Sequence, residues 1–299
     1  MSSTYQVAAI GEMLWDIFPS GPRFGGAPAN FACSLANLSG PQTHVSLISA
    51  AGNDPLGREA ISSLQLHGVD TERVKVLPQP TGKVLIELDQ DGRATYEFAS
   101  DTAWDNLPWS EDLLTFAESL DAVYFGTLGQ RDNVSRDTIL RFLNATQEQT
   151  FRIFDLNLRP PFINDGHILA SIEAANVLKL NDEELPILAQ LCRITGSDRR
   201  ILEQLADRFQ FRAIALTRGA EGAFLLRGSE WDDRPAAITR IVDTVGAGDA
   251  YTAALVMGLL RNDPLSIINE KACTVAEFVC TQAGATPHLP AAITKIRPN

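Results

Sequence analysis

Apolar residues along the chain follow two alternating patterns. Short runs rich in β-branched and aromatic residues predict strands, and longer segments with apolar residues every three or four positions predict helices. The strand-like runs are QVAAIG, HVSLIS, AVYFGTLG, RIFDLN, NVLKLN, AIALTRG and GAFLLR, and the helix-like segments include NFACSLANLSG, PLGREAISSLQLHG, SRDTILRFLNATQEQ and SDRRILEQLADRFQ. Strands that alternate with helices predict βαβ units, so we expect an α/β fold with a mostly parallel sheet covered on both faces.

One stretch breaks this alternation. TGKVLIELDQDGRATYEF predicts two strands around an Asp-Gln-Asp-Gly turn, with no helix to cover them. We therefore expect a small separate sheet that acts as a lid, inserted into a single domain over residues 1–299 as segments of about 12–27 and 72–104. An edge hairpin of the main sheet is the alternative.

The sequence DTVGAGDAYTAALVMGLL combines glycines, charges and an apolar run. Its second half is apolar nearly all round, which predicts a buried central helix. The first turn of such a helix carries backbone N–H groups without partners and a partial positive charge. Because Gly246, Ala247 and Gly248 are small, an anion such as phosphate can approach these amides.

Asp249 follows these residues directly and would repel an anion if it were only a neighbour. A carboxylate beside a phosphoryl site can accept the proton of an attacking hydroxyl, which makes Asp249 a candidate base. A simple helix cap is the alternative. The stretch GNDPLGRE is not a P-loop, because Arg58 and Glu59 stand where Lys and Ser/Thr are required.

A second group of small residues lies near the N-terminus. In FGGAPANFACSLANL, Gly25 and Gly26 precede a helix-like run whose start carries Asn30. An asparagine amide both donates and accepts, which suits a sugar hydroxyl. Asp16 lies in the apolar setting of GEMLWDIF, where an unused carboxylate is costly, so we interpret it as functional.

Composition narrows the possible functions. The chain is 45% hydrophobic and 21% charged, as in ordinary globular proteins. Its net charge of -12 argues against a nucleic-acid or anionic-membrane partner. Four cysteines without a CxxC pair predict buried free thiols and no zinc site. The N-terminal apolar run is short and interrupted by acids, so we expect no signal peptide or membrane span and a cytoplasmic protein.

Together these motifs resemble those of the ribokinase-like (PfkB) family of carbohydrate kinases. The two family signatures are similar to FGGAPANFACSLANLSG and DTVGAGDAYTAALVMGLL, and KLNDEE and LTRGAEGA extend the resemblance over nearly the whole chain. The resemblance implies a three-layer α/β/α, Rossmann-like fold with a small β-sheet lid. It also implies transfer of the γ-phosphoryl group of ATP to a sugar hydroxyl, with Mg²⁺ as cofactor.

The resemblance implies roles for individual residues. Asp249 matches the catalytic base, and the amides of Gly246, Ala247 and Gly248 match an anion hole. The residues that match sugar contacts are Asp16, Gly25, Gly26 and Asn30. Arg159 matches a position that faces the cleft in fructokinase-like members, where its guanidinium either meets a phosphate or holds Asp155.

Further matches concern the nucleotide and cations. Asn181 and Glu184 match an NxxE pattern that helps hold Mg²⁺ through water, although NDEE alone reads as a solvated helix start. Thr217, Gly219 and Gly222 match nucleotide contacts, although without the resemblance this stretch would be interpreted as a β-hairpin. Ala283, Gly284 and Ala285 match residues that form the wall of an adenine pocket. Asp243 and Val245 offer oxygens for K⁺, but His288 stands near a position where cation-activated relatives often carry a small hydroxyl residue.

The acceptor sugar is less sharply indicated. GEMLWD with GGAPANFA is most similar to fructokinase-like members, so we expect fructose. The alternatives are a ribokinase-type enzyme and 2-keto-3-deoxygluconate kinase, whose anionic substrate needs a cation such as Arg93, Lys83 or Arg159. A catalytically retired sugar-binding protein is a hypothesis of another class, which the intact Asp249 argues against. Because an isolated small sheet leaves an apolar face to cover, we expect a homodimer through the lid.

Overall fold

The structure is a computed structural model that describes residues 4–88, 94–237 and 240–294. Its strands are β1 (Tyr5–Ile10), β2 (Leu14–Phe18), β3 (Gly21–Gly25), β4 (Thr43–Gly52), β5 (Val74–Leu77), β6 (Gly82–Leu88), β7 (Ala94–Phe98), β8 (Ala122–Gly126), β9 (Phe151–Asp155), β10 (Val177–Asn181), β11 (Ala213–Thr217), β12 (Ala223–Arg227) and β13 (Glu230–Arg234). Its helices are α1 (Ala27–Ser39), α2 (Pro55–Leu66), α3 (Glu111–Glu118), α4 (Asn133–Asn144), α5 (Asp165–Ala174), α6 (Glu184–Cys192), α7 (Asp198–Phe209), α8 (Ala247–Leu260), α9 (Leu265–Cys280) and α10 (Ala291–Thr294). The alternation of strands and helices expected from the apolar pattern is confirmed.

Nine strands form one large sheet in the order β13-β12-β11-β10-β9-β8-β1-β4-β5. The seven strands from β11 to β5 pair in parallel, and β12 and β13 add antiparallel at one edge. Successive residues of a strand point to opposite faces of the sheet. Accordingly, Ala9 and Tyr124 lie in one apolar cluster, whereas their neighbours Ile10 and Phe125 lie in another. The sheet is therefore buried on both faces, in a three-layer α/β/α arrangement.

Helix α8 lies in the centre of one of these layers. It packs against α1 and α9, and its side chains are buried from Asp249 to Leu259. Complete burial suits a helix that is apolar on all sides, because no polar face has to be removed from water. The expected central helix is thus present, and its N-terminus directly follows the glycine-rich sequence.

Four strands form a separate small sheet in the order β3-β2-β6-β7. This confirms a second sheet rather than an edge hairpin of the large one; the Asp-Gln-Asp-Gly turn lies outside the described residues. The expected lid segment 72–104 is wrong at its start, because Val74–Leu77 pairs with β4 in the large sheet. The cause is that α2 connects β4 to β5 as a crossover between parallel strands.

The cysteines are free thiols. Three of them are buried as expected, and Cys280 at the end of α9 is half-buried. Across the described ranges, no helix is both long and apolar enough to cross a membrane.

Candidate active site

Polar residues gather at the carboxyl ends of neighbouring parallel strands. Asp155, Asn181 and Thr217 are the last residues of β9, β10 and β11, which lie side by side in the large sheet. In open α/β sheets, ligands bind outside this edge of the strands. The sequence motifs that follow these strands are thereby brought to one side of the molecule.

A cavity of about 470 Å³ lies beside the N-terminus of α8. Thr217, Gly219 and Gly222 line it together with Ala247 and Gly248, so two separate predicted groups meet here. The other lining residues are mostly small or apolar: Ala220, Ala223, Ala236, Ala237, Ile241, Thr244, Tyr251, Cys273, Ala276, Glu277 and Cys280. This size and lining suit a flat heterocycle with a polar tail.

The LTRGAEGA stretch is both a hairpin and part of the cavity wall. Strands β11 and β12 pair antiparallel, and Gly219 and Gly222 lie between them. Gly222 has a φ of +90°, and a Cβ there would collide with the carbonyl group of Arg234. Only glycine fits this conformation, so the turn can approach a ligand closely.

The start of α8 provides backbone amides at the edge of the cavity. Gly246 adopts a φ of +79°, and a Cβ there would collide with the carbonyl group of Ala285. The amide of Ala247 donates to the carbonyl of Thr244 at 3.3 Å. Gly248 belongs to the first turn, where amides have no acceptor within the helix. Of the amides predicted to form an anion hole, that of Ala247 therefore already has a backbone acceptor.

Asp249 is buried behind these amides, with 8% of its surface exposed. Its Oδ2 accepts a hydrogen bond from Asn30 Nδ2 at 2.9 Å, and the Tyr124 hydroxyl lies 3.5 Å from Oδ1. Both partners lie outside α8, so the carboxylate does not cap its own helix. Burial and the charge of Asp155 raise the pKa of Asp249 to about 6, although Asn30 and two nearby cations oppose this effect.

Asp16, one of the predicted sugar contacts, lies on β2. Burial raises the pKa of Asp16 to about 6, opposed by the positive charges of two arginines. A Cβ on Gly25 would lie 3.1 Å from Asp16 Oδ2, and one on Gly26, at a φ of +104°, would lie 2.8 Å from the Glu12 carbonyl oxygen. The absence of a side chain at Gly25 leaves space beside the Asp16 carboxylate, and its absence at Gly26 lets α1 begin against the backbone of Glu12 and Met13.

Arg159 influences three carboxylates at once. Its positive charge lowers the pKa of Glu12, Asp16 and Asp249, against the opposing and larger effect of burial on each. These groups therefore share one neighbourhood. The bond from Asn30 to Asp249 brings one of the expected sugar-binding side chains directly to the expected base.

Asn181 and Glu184 form a reciprocal pair at the start of α6. Asn181 Oδ1 accepts from the Glu184 amide at 2.8 Å, and Glu184 Oε2 accepts from the Asn181 amide at 2.9 Å. Glu184 Oε1 also accepts from the Leu158 amide at 2.8 Å. This is capping-box geometry, which accounts for the NxxE spacing. Asp182 and Glu183 are exposed, whereas Glu184 is buried, so the solvated-start interpretation holds only for the two middle residues.

Known proteins resemble the chain in both sequence and fold. The model of the pfkB family of carbohydrate kinases matches residues 21–292. The chain belongs to this family. A fructokinase of Salmonella typhimurium is 30% identical over 272 residues, which cover 86% of this chain and 85% of that protein. The chain is therefore a sugar kinase of the pfkB family.

Solved structures support the same assignment. A sugar kinase from Pyrococcus horikoshii, solved in complex with ATP, is 28% identical with a TM-score of 0.79 and 94% coverage of both chains. A fructokinase from Vibrio cholerae O395, solved with fructose, ADP and calcium, shares the fold at 23% identity, with a TM-score of 0.81 and coverage of 97% of this chain and 98% of that one.

Sequence reasoning missed a buried network that lies behind Asp249 in this pfkB kinase. Lys179 Nζ lies 3.0 Å from Asp155 Oδ1, and Tyr124 donates to Asp155 Oδ2 at 3.1 Å. The interpretation that Arg159 holds Asp155 is wrong, because Lys179 occupies that role. A Cβ on Gly248 would lie 3.1 Å from Lys179 Nζ, so the ammonium lies beside the first turn of α8. The lysine within the apolar NVLKLN was the available signal, since buried lysines are almost always paired.

Glu12 is a second residue that sequence reasoning passed over. It is 2% exposed, and its Oε1 accepts from the Ala27 amide at 3.3 Å. Its Oε2 is enclosed without a hydrogen-bond partner among the described residues. Burial raises the pKa of Glu12 to about 7, and the Asp249 charge adds to this effect. The signal was a glutamate inside the apolar run that follows β1.

The Asp243 carboxylate accepts hydrogen bonds from three groups around the loop that precedes α8. Its Oδ1 accepts from the Val245 amide at 3.0 Å, and its Oδ2 accepts from the Gly284 amide at 3.2 Å and from Arg23 at 3.4 Å. The described cavity wall does not include the expected adenine contacts Ala283, Gly284 and Ala285. Helix α9 packs beside α8 and forms that wall with Cys273, Ala276, Glu277 and Cys280 instead. His288 packs against His67, with ring centroids 5.3 Å apart.

Proposed function

We propose that the protein transfers the γ-phosphoryl group of ATP to a hydroxyl group of fructose, with Asp249 as the general base. One observation carries this proposal. Ala247 and Gly248 line the cavity, and the next residue, Asp249, contacts Asn30 on the acceptor side. A phosphoryl group that leaves a nucleotide in the cavity would therefore meet the first amides of α8 beside the base.

The residues present fit ATP with Mg²⁺. Asp155, Glu184 and Asp249 place negative charge around the single ammonium of Lys179. This charge would oppose a polyphosphate, and a bound divalent cation would offset it. Both oxygens of Glu184 already accept backbone amides, so Glu184 and Asn181 suit Mg²⁺ held through water rather than directly. When bound, Mg²⁺ would neutralise charge on the phosphates.

K⁺ activation has weaker support. The carboxylate of Asp243 already accepts from Arg23 and from two backbone amides. A monovalent cation would have to share these oxygens. We therefore expect similar turnover in K⁺ and Na⁺ buffers.

The environment of Asp249 suits a base at neutral pH. A pKa of about 6 leaves the carboxylate ionised at pH 7 and still basic enough to take a proton. Asn30 holds Oδ2, which leaves Oδ1 to receive the proton of the acceptor hydroxyl. As the acceptor oxygen attacks phosphorus, the bond to the leaving oxygen of ADP breaks and the proton stays on Asp249.

Fructose is favoured over an acidic sugar for two reasons. The relatives at about 30% identity include a fructokinase. The cations proposed for a substrate carboxylate are also poorly placed. Lys83 pairs in register with Trp15, whose indole donates to the carbonyl of Leu56 on α2, so that face of the small sheet points away from Asp16. Arg93 lies outside the described residues, and Arg159 is already balanced by the acids of the site.

A homodimer through the small sheet is a further part of the proposal. Leu85 on β6 is 43% exposed and pairs in register with Ile17 on β2. A second copy would cover the exposed side chain of Leu85. We expect a dimer in sedimentation velocity at micromolar concentration, and a monomer would contradict this part.

Asp249→Asn tests the base. The variant keeps the shape of the side chain but cannot take the proton, so we expect kcat to fall by roughly 10²–10⁴-fold. Fructose binding, measured by calorimetry, should be retained. Asp137→Asn, at a position with 73% of the side chain exposed on α4, is the control for loss of one carboxylate. Equal turnover in Asp249→Asn and wild type would contradict the assignment.

A further inference from the structure

Tyr124 lies behind the base, at the centre of the large sheet. It is fully buried on β8, and its ring stacks on Phe31 of α1 with centroids 4.4 Å apart. Its hydroxyl lies between two carboxylates, 3.1 Å from Asp155 Oδ2 and 3.5 Å from Asp249 Oδ1. Neither packing nor strand formation requires a hydroxyl at this point, because phenylalanine would fill the same space.

One hydroxyl proton cannot serve both carboxylates. Burial, together with the charges of Asp155 and Asp249, raises the pKa of Tyr124 well above its ordinary value, so the hydroxyl stays protonated. Asp155 is the nearer acceptor, and its other oxygen is fixed by Lys179 at 3.0 Å. With the proton directed at Asp155, a lone pair of the phenol oxygen faces Asp249 Oδ1.

We propose that Tyr124 is a positioning residue that favours the protonated form of Asp249. The phenol donates to Asp155 throughout and accepts a hydrogen bond from Asp249 once that group has taken the acceptor proton. No proton passes to Tyr124: the O–H bond of the acceptor breaks, an O–H bond forms on Asp249 Oδ1, and that proton then points at the phenol oxygen. This inference rests on the proposed role of Asp249 as base.

The fall of kcat/KM at low pH, its acid limb, reports this interaction, because the base is inactive once it is protonated. The titratable and charged groups that face Asp249 are Asp155, Lys179, Arg159, Glu12 and Tyr124 itself. Tyr124→Phe removes one hydroxyl and keeps all the charges. Without a lone pair to stabilise its protonated form, Asp249 should release its proton more readily.

The experiment measures kcat/KM for fructose from pH 5 to 9 in wild type, Tyr124→Phe and Tyr5→Phe. In Tyr124→Phe we expect the acid limb to move to lower pH by about half to one unit, and plateau kcat to fall about 3- to 10-fold, the value of one hydrogen bond. KM for fructose should change less than about twofold, because only the protonated base is affected. Tyr5→Phe loses a hydroxyl that donates to the Leu260 carbonyl at 3.0 Å, far from the site, and should leave the limb in place.

The direction of the shift decides the outcome. A limb that moves to higher pH would mean that Tyr124 donates to the Asp249 anion, and an unmoved limb would mean that it only packs; either result overturns the inference. If Asp249→Asn keeps its turnover, the base assignment itself fails, which is a separate result.

A second measurement does not depend on turnover. The Asp249 carboxyl is followed by carbon NMR in aspartate-labelled protein and assigned with Asp249→Asn. We expect its titration midpoint to lie at lower pH in Tyr124→Phe than in wild type. Repeating the titration in Glu12→Gln removes the neighbouring carboxyl that titrates in the same range. An equal or higher midpoint would overturn the inference.

Discussion

Replacing Glu12 by glutamine should make the free energy of unfolding less dependent on pH. Glu12 is 2% exposed, and its Oε2 lacks a hydrogen-bond partner among the described residues. A charge in such a place is costly, so the folded protein prefers the protonated acid. Glutamine keeps an oxygen for the Ala27 amide and cannot ionise.

The pKa values fix the size and the sign of the effect. Burial raises the pKa of Glu12 to about 7 from an ordinary value of 4.5. Because the folded state binds this proton more tightly than the unfolded chain, stability falls as pH rises through this interval. The difference corresponds to about 3 kcal/mol at 1.36 kcal/mol per pH unit. The loss is absent below pH 4.5 and complete above pH 7.

Urea denaturation of wild type and Glu12→Gln between pH 4.5 and 8.5 measures this effect. We expect the unfolding free energy of wild type to drop relative to the variant by about 3 kcal/mol across this range. The extra buried N–H groups of glutamine lower the unfolding free energy of the variant equally at every pH, so they do not change how the difference between the two proteins varies with pH. Glu118→Gln, at an exposed position at the end of α3, controls for the change in net charge. A difference that is independent of pH would refute the reasoning.

Three other substitutions test separate parts of the site. Gly246→Ala should abolish most turnover and lower the melting temperature, because the new methyl group meets the Ala285 carbonyl at a φ of +79°; unchanged kinetics would contradict a tight turn. Asn30→Ala should move the acid limb of kcat/KM to higher pH, opposite to Tyr124→Phe, because Asn30 donates to the Asp249 anion; an unmoved limb would contradict that role. Lys179→Met should lower the urea unfolding free energy by about 3–5 kcal/mol, because Asp155 loses its buried cation and keeps only the Tyr124 hydroxyl; no loss would contradict the ion pair.

Local patterns predicted most strands of the large sheet, several of its helices and the position of the main motif, but not β5, β13, α3, α5 or α9. The helix that begins at Ala247 and the turn at Gly219–Glu221 were found because apolar periodicity and glycine spacing are properties of adjacent residues. Strand β5 was misplaced because its sheet partner, β4, is determined by the crossover through α2 rather than by its own four residues.

The buried network could not be predicted from local sequence patterns. Tyr124 and Asp249 are 125 positions apart, and only the parallel order of β8, β9 and β10 brings Tyr124, Asp155 and Lys179 together. Glu12 and Lys179 are each visible in the sequence as a charged residue inside an apolar run. Their partners became identifiable only from the fold.

ADP release with Mg-ATP across fructose, 2-keto-3-deoxygluconate, ribose, glucose and adenosine is the most direct test of the central claim. We expect fructose to give the highest kcat/KM, and Asp249→Asn to lose that turnover while still binding the sugar. Preference for another sugar, with the same dependence on Asp249, would replace fructose as the acceptor and leave the site intact. Binding of a sugar without ADP release from any acceptor in wild type would contradict the claim that this site transfers phosphate.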